Sequence, residues 1–485
     1  MLEVKDIKSR TIFSALSLFF QSGYSAFIGL VANAVITILL SRQIYGIYFT
    51  ALSTISLLNY FSDIGLAASL IQKKEISEDD LKTTFTVQQF LVVTIVVIGF
   101  LSTSLVANFY DLPKTGIYLY WSLLISFFIS SLKTIPSILL ERKIQFQKIV
   151  VVQVLENTVF NFTVIILAIL GFQLRSFIYA VIIRSFVGLV AIYVFSFWRP
   201  RIGISLPSFG RLVRFGLPFQ TNSLLALFKD DLITLYLAKV LGFSGIGSIG
   251  WGKKWGEALI RIIMDNISRV IFPVISRLQE NHKLISKLIE KILFYQTLAL
   301  APALLGLVLI ADRIMRIIPG YYEKWSASLP LLYLFSLSAF LSSYSSPFTN
   351  MFNALGKVKI SLYFMVFWTV VTWLLTPIFT KSYGIYGFPI VQVLLSFTFI
   401  AVLYKAKRVV SFNFVTPVIK PLVASAMMGV FVFMVLRLPA NLYLQTGLAI
   451  FTGVFVYFII LRLLFKIDLV KEFMSLFFQK QAYPS

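Results

Sequence analysis

The sequence contains no cysteine and only one histidine, His282. Without cysteine, the chain has no disulfide framework, no thiolate metal site and no thiol redox chemistry. A single histidine also excludes a metal centre built from several histidines. Charge is scarce too, because only 13% of the residues are Asp, Glu, Lys or Arg, about half the usual share in a soluble protein. So low a share of charged residues is unlike a soluble domain.

Apolar surface is what the chain has in excess, with 58% hydrophobic residues and 48 Phe. A single soluble core stops growing beyond roughly 250–300 residues, so we expect the bilayer to be the solvent. Lipid allows only helices or closed barrels, and the apolar stretches lack the alternation of barrel strands. We therefore predict an all-α integral membrane protein with about fourteen spans: Phe13–Leu40, Tyr45–Leu70, Phe85–Ala107, Ile117–Leu140, Ile149–Leu170, Phe177–Phe197, Phe215–Leu241, Ile246–Ile275, Leu288–Ala311, Leu329–Phe352, Ile360–Phe379, Ile385–Tyr404, Val418–Leu436 and Leu442–Leu461.

Lys and Arg concentrate in every second loop between these spans. The loops on the side of the N-terminus carry 27 of them, and the loops on the other side carry 8. Because positive loops stay in the cytoplasm, we predict that both termini are cytoplasmic. The same distribution accounts for the net charge of +23 as an orientation signal, so we expect no nucleic-acid partner.

An internal repeat relates the two halves of the chain. Ile36–Arg42 and Ile233–Lys239 share a pattern of apolar residues, threonine and a final cation. Glycine follows both segments, at Gly46 and Gly245. We predict two pseudo-symmetric six-helix lobes, residues 1–200 and 201–410, followed by two C-terminal helices in 411–485. Because six is even, both halves run in the same direction, which suits alternating access around a central cavity.

Charged residues inside the spans cost at least ~2.5–3.5 kcal/mol each, so they should face a wet cavity or each other. In the eighth span, Lys254, Glu257, Arg261 and Asp265 follow helical spacing and share one stripe. Two interpretations stay open, a hydrated cavity wall or neutralising pairs at i,i+4. We name as candidate substrate-binding residues Lys229, Lys253, Lys254 and Arg261, and as candidate coupling-ion residues Asp230, Asp231, Glu257 and Asp265.

Isolated charges occur in four other spans. Lys133 and Arg184 are further candidates for substrate binding, with snorkelling to the membrane surface as the alternative. Asp63 is either the structural partner of a cation or a coupling-ion residue. Glu156 belongs to a polar patch that we expect to form hydrogen bonds between helices.

Five short segments carry a family resemblance. They are Leu40–Tyr48, Phe61–Leu66 with Leu70–Lys73, Leu140–Phe146, with its Arg-x-x-x-Phe pattern, Phe272–Leu278, with its Phe-Pro-x-x-Ser-Arg-Leu pattern, and Asn353–Lys357. In this order and at these helices, the segments resemble the Wzx-type polysaccharide flippases of the multidrug/oligosaccharidyl-lipid/polysaccharide exporter superfamily.

The resemblance implies two lobes around a cationic cavity, with two further helices that hold the lipid tail. Its substrate would be an undecaprenyl-diphosphate-linked oligosaccharide, flipped from the cytoplasmic to the outer leaflet of a bacterial inner membrane. The family's cavity positions correspond approximately to Arg42, Asp63, Lys229, Lys253 and Arg261. The first span carries no charge, which departs from the lipid II flippases and argues against a peptidoglycan precursor.

The absence of one motif bears on the energy source of transport. No nucleotide-binding GxxxxGK[ST] motif occurs, so we expect no cofactor and a drive from the membrane potential or from exchange of H⁺ or Na⁺. Expected partners are the lipid-linked glycan, membrane lipids and a polysaccharide polymerase or chain-length machinery. The alternatives are an ion-coupled drug antiporter of the same superfamily and a membrane glycan polymerase or ligase, an enzyme class that generally carries a large outer loop.

Overall fold

The structure, a computed structural model, describes residues 4–62, 65–73, 75–143, 145–214 and 227–466. It describes the side chains in these ranges for all but residues 4–19, 55, 59, 61, 72, 265, 266, 268–270, 272 and 273. The described ranges contain helices and turns and no strand. The prediction of an all-α fold is confirmed.

The helices follow one another with short connections. In chain order they are α1 (Val4–Leu39), α2 (Arg42–Phe61), α3 (Leu66–Gln72), α4 (Glu78–Leu101), α5 (Thr103–Tyr110), α6 (Lys114–Ser131), α7 (Thr134–Arg142), α8 (Phe146–Ile169), α9 (Arg175–Phe195), α10 (206–214), α11 (Ile233–Arg277), α12 (His282–Ile317), α13 (Tyr321–Trp325), α14 (Leu329–Ser343), α15 (Ser345–Ala354), α16 (Val358–Tyr383), α17 (Gly387–Ser396), α18 (Phe399–Lys407), α19 (Val415–Val435) and α20 (Leu442–Leu463). A π-helical turn, Phe228–Leu232, leads into α11.

Ten helical stretches of the described residues are long and apolar enough to cross a membrane, or eleven if α6 and α7 form one bent span. Some are too long for one crossing. Val358–Lys407 has 50 residues, about 75 Å of helix against a hydrocarbon core of roughly 30 Å, and it contains two of the predicted spans. The chain is a multi-pass membrane protein, and the count of fourteen is compatible with these lengths but stays a prediction.

Turns break two of the predicted spans, Ile117–Leu140 and Tyr45–Leu70. α6 and α7 meet at an angle of 41°. Gly65, with a φ of 77°, separates α2 from α3. Gly242, with a φ of 67°, interrupts α11 near its start, in the predicted connection between Leu241 and Ile246, and we call the longer stretch after Gly242 the second half of α11. Glycine adopts this left-handed conformation without the steric cost that a β-carbon brings.

The chain divides into two compact units. Unit 1 comprises Met1–Gly250 with Met365–Pro377, and unit 2 comprises Trp251–Phe364 with Ile378–Ser485. In unit 2, α19 and α20 pack on each other and on α12 through an apolar cluster around Met428, Val432 and Tyr457. The division into residues 1–200, 201–410 and 411–485 stays a prediction.

Unit 1 brings the two copies of the internal repeat into contact. A β-carbon on Gly46 would lie 1.8 Å from the carbonyl oxygen of Phe243. A β-carbon on Gly247 would lie 2.1 Å from the carbonyl oxygen of Arg42. The two contacts are reciprocal, because Phe243 and Gly247 follow Arg42 and Gly46 by the same number of positions. Glycine at these two positions permits the backbones to touch.

The first turn of α4 anchors the loops at one end of unit 1. Ser77 and Asp80 form a capping box, in which each side chain accepts a hydrogen bond from the other residue's backbone N–H. The buried Asp80 carboxylate also pairs with Lys73 and lies 3.4 Å from the Arg211 guanidinium. The basic loops of the predicted cytoplasmic side are therefore tied together through one buried acid.

Candidate substrate-binding sites

The second half of α11 carries its charges opposite a glycine face. β-Carbons on Gly252 and Gly256 would lie 2.8 Å and 2.9 Å from β-carbons of α14, so this face packs closely. Each helical residue turns by about 100°, which directs Lys254, Glu257 and Arg261 to the opposite side. The Arg261 side chain is 62% exposed. The predicted stripe therefore faces away from the helix packing of unit 2.

Both interpretations of this stripe find support in its contacts. Arg261 donates to Glu257 over 2.9 Å, as the i,i+4 spacing predicts. Lys254 is close enough to both side chains for an electrostatic interaction, but neither Lys254 nor Lys253 forms an ion pair within the described residues. The stripe thus combines one neutralised cation, Arg261, with Lys254, and Lys253 next to it is a second cation available to an anion. The predicted contribution of Asp265 concerns a side chain outside the described residues.

Lys229 lies in the π-helical turn of unit 1. Its ammonium is 5.8 Å from the centre of the Trp368 ring, a cation–π contact. Trp373 fixes the turn, because its indole N–H donates over 2.8 Å to the carbonyl of Phe228. π-Helical turns are frequent at functional sites. Of the neighbouring coupling-ion candidates, Asp230 is exposed and Asp231 is partly buried.

Lys133 and Glu156 form a buried ion pair between the α6–α7 bend and α8. Their side chains are only 18% and 9% exposed. Gly188 of α9 makes room for the carboxylate, because a β-carbon there would lie 1.6 Å from Glu156 Oε1. Lys133, predicted as a substrate-binding cation, is thus neutralised by an acid that we had assigned to hydrogen bonding between helices.

Arg184 lies beside an aromatic cluster of unit 1. Its guanidinium carbon is 5.6 Å from the centre of the Phe160 ring. Tyr48 stacks on Phe177 with 3.9 Å between ring centres and also faces Phe160 at 6.1 Å. Arg184 forms no ion pair with any carboxylate of the described residues. It remains a candidate cation for an anionic ligand.

Arg42 and Asp63 are the remaining predicted positions. Arg42 is the first residue of α2 and is partly buried beside the start of the second half of α11. Asp63, predicted as a coupling-ion residue or a structural acid, lies outside the described residues.

Unit 2 also contains an apolar cavity of about 370 Å³ between α12, α14 and α19. Its lining is almost entirely hydrocarbon, with Ser336, Ser425 and Tyr333 as the polar exceptions. Ser425 Oγ already donates to the carbonyl of Pro421 over 2.7 Å. Such a surface suits an alkyl or polyprenyl chain better than a polar ligand. The lining residues are Ala301, Leu304, Leu305, Val308, Tyr333, Ser336, Leu337, Phe340, Leu422, Ser425 and Ala426.

Sequence reasoning missed the cavity and the partner of Lys133. The cavity needs the relative position of three helices, which spacing within one helix does not report. The pair had a usable signal, since a lysine and a glutamate lie deep in neighbouring predicted spans and isolated charges at that depth seek partners.

Comparison with known proteins decides the family. The sequence model of the polysaccharide biosynthesis protein family matches residues 35–330, more than half of the chain. The chain belongs to this family. It is 27% identical over 354 residues to the lipopolysaccharide biosynthesis protein WzxC of Escherichia coli K12, covering 70% of this chain and 69% of that protein. The resemblance to Wzx-type polysaccharide flippases is confirmed.

Two further similar proteins bear on whether the chain is a transporter or an enzyme. The succinoglycan biosynthesis transport protein ExoT of Rhizobium meliloti is 21% identical over 335 residues, covering 69% of this chain and 67% of ExoT. The fold matches the lipid II flippase MurJ in an inward closed conformation with a TM-score of 0.75 and 14% identity, covering 95% of this chain and 100% of MurJ. This family member is a transporter rather than an enzyme.

Proposed function

We propose that this protein is a flippase that moves undecaprenyl-diphosphate-linked oligosaccharide repeat units from the cytoplasmic to the outer leaflet of a bacterial inner membrane, for surface polysaccharide biosynthesis. One observation carries the proposal. Unit 2 combines exposed cations on α11 with an apolar cavity beside α19, the two surfaces that an anionic polyprenyl lipid requires. The names of WzxC and ExoT, both polysaccharide biosynthesis proteins, support it.

The chemistry of the substrate matches these surfaces part by part. A diphosphate accepts charge-assisted hydrogen bonds from Lys and Arg, here Lys253, Lys254 and Arg261. The polyprenyl tail occupies apolar surface, which the cavity between α12, α14 and α19 offers. The glycan stays in water. Alternating access of two repeat-related lobes then exposes the site first to the cytoplasmic and then to the outer leaflet.

The remaining features of the proposal concern placement and energy. The loop charges support cytoplasmic termini. The membrane potential or exchange of H⁺ or Na⁺ drives transport, with Asp63, Asp230, Asp231, Glu257 and Asp265 as the carboxylates considered for coupling. The product on the outer leaflet is the substrate of a polysaccharide polymerase, which makes such a polymerase and its chain-length machinery the natural partners.

The test is the leaflet in which lipid-linked repeat units accumulate. Cells that lack the protein should collect them in the cytoplasmic leaflet and lose surface polysaccharide, and a plasmid copy should reverse both effects. Normal polysaccharide in the deletion strain, together with raised susceptibility to cationic drugs, would instead support the antiporter alternative.

A further inference from the structure

Hydrogen bonds from two neighbouring helices hold the bend between α6 and α7. Lys133 lies at the break, and the polar groups of the residues on either side of it are bonded to α4 and α9. These bonds join Gln89 Nε2 to Ser131 Oγ over 3.1 Å, Tyr193 Oη to the Leu132 carbonyl over 3.3 Å, and Gln88 Nε2 to Thr134 Oγ1 over 2.8 Å. The polar groups on either side of the bend therefore have hydrogen-bond partners that do not include Lys133.

The ion pair of Lys133 with Glu156 adds little that the bend needs. Buried ion pairs contribute weakly to stability, because desolvation offsets the attraction between the charges. Yet α9 provides a glycine, Gly188, at the place where the carboxylate fits. Glu156 lies seven residues into the predicted span Ile149–Leu170, about 10 Å along the helix and well inside a hydrocarbon core roughly 30 Å thick. A charge pair built into that depth calls for a functional reason.

A second cation lies one helical turn from this pair. Phe160 follows Glu156 by four residues on α8, and Arg184 precedes Gly188 by four residues on α9. The contact of Arg184 with Phe160 therefore lies one helical turn from the contact of Gly188 with Glu156, a distance of about 6 Å along the helices. Unit 1 thus places a cation with a carboxylate partner next to one that forms no ion pair within the described residues.

We propose that Glu156 is a displaceable counter-ion, which occupies Lys133 in the empty protein and gives way when a diphosphate binds across Lys133 and Arg184. This inference rests on the proposed function and names a specificity device within it. A diphosphate reaches both cations, whereas a monophosphate gains only one and competes poorly with the resident carboxylate. Glu156 therefore sets the affinity and selects for two adjacent phosphates.

The test uses soluble probes on the purified full-length protein, farnesyl diphosphate and farnesyl monophosphate. Glu156→Gln keeps the shape of the side chain and frees Lys133, so it should bind farnesyl diphosphate at least about fivefold more tightly and narrow the preference over the monophosphate. Adding Lys133→Gln should abolish that gain. Asp312→Asn is the matched control, because it also removes one acid from an ion pair, with Arg316, and should leave both affinities unchanged.

Other outcomes overturn the inference. A folded Glu156→Gln protein with unchanged or weaker diphosphate binding would make the pair purely structural. Glu156→Asp, which withdraws the carboxylate, provides the same test if the glutamine variant does not fold, and failure of both variants to fold would identify a folding element instead. A wild-type protein that fails to restore polysaccharide export would sink the proposed function whatever the binding data show.

Discussion

Gly46 of α2 lies against the backbone of Phe243, so closely that a β-carbon at position 46 would be 1.8 Å from the Phe243 carbonyl oxygen. We predict that Gly46→Ala forces the two repeat-related segments apart. The expected loss is about 1–3 kcal/mol of folding free energy, the usual cost of overpacking, which exceeds the ~1 kcal/mol that alanine gains over glycine in a helix. The measurement is the thermal unfolding midpoint in detergent.

The control for this prediction is Gly29→Ala in α1. No side chain or neighbouring backbone atom lies within 4 Å of a β-carbon at position 29, so this variant should unfold at or above the wild-type temperature. Equal stability of the two alanine variants would show that α2 and α11 tolerate a wider separation.

The sequence predicted those features that are set within a single helix, its apolar length and the side on which its charges lie. Apolar length located the spans, and helical spacing placed Lys254, Glu257 and Arg261 on one side of α11. It could not predict which helix lies beside another. The repeat indicates that Gly46 and Gly245 open corresponding helices, but it does not report that Gly46 contacts Phe243 and Gly247 contacts Arg42, because a contact depends on where two helices cross.

The breaks at Gly65 and between α6 and α7 lie inside predicted spans and were invisible to apolar patterning, whereas Gly242 lies in the predicted connection between Leu241 and Ile246. Gly65 interrupts the predicted span Tyr45–Leu70 in a left-handed conformation, yet Gly250 and Gly252 continue α11 as a helix. Tertiary context decides which glycine bends, since glycine tolerates both conformations.

Arg261 offers a direct test of the cationic stripe. Arg261→Ala should abolish export of surface polysaccharide while the protein accumulates and unfolds normally, because an exposed i,i+4 pair contributes only about 0.3–0.5 kcal/mol. Glycan export and protein level in a complemented deletion strain are the measurements.

Arg316 is the matched control for Arg261. It forms the same kind of pair, with Asp312 at 2.9 Å and four residues apart, but it lies near the end of α12 and away from the stripe. Arg316→Ala should export normally. If Arg261→Ala and Arg316→Ala export equally well, the stripe does not bind the substrate.

Asp80 should be the most sensitive acid at its end of unit 1. It is fully buried, accepts the Ser77 backbone N–H over 2.9 Å and pairs with Lys73. Asp80→Asn retains the shape and removes the charge, so we expect a loss of roughly 1.5–3 kcal/mol, the range for hydrogen bonds to charged groups. The adjacent Asp79→Asn makes the same charge change at a side chain that is 55% exposed. Its unfolding temperature should stay within error of wild type, and a similar fall in both variants would point to net charge instead.

A bulky side chain placed in the cavity beside α19 should block transport. Ala426 is exposed and lines the cavity, so Ala426→Trp places an indole in it without disturbing the packed core. If a polyprenyl tail occupies this space, export should fall severalfold while the protein folds normally. Val430→Trp makes the same substitution one turn further along α19, at a residue that is 54% exposed and does not line the cavity. Export by the two variants, normalised to protein level, separates obstruction from a general effect of tryptophan on this helix, because only the first variant narrows the path of the lipid.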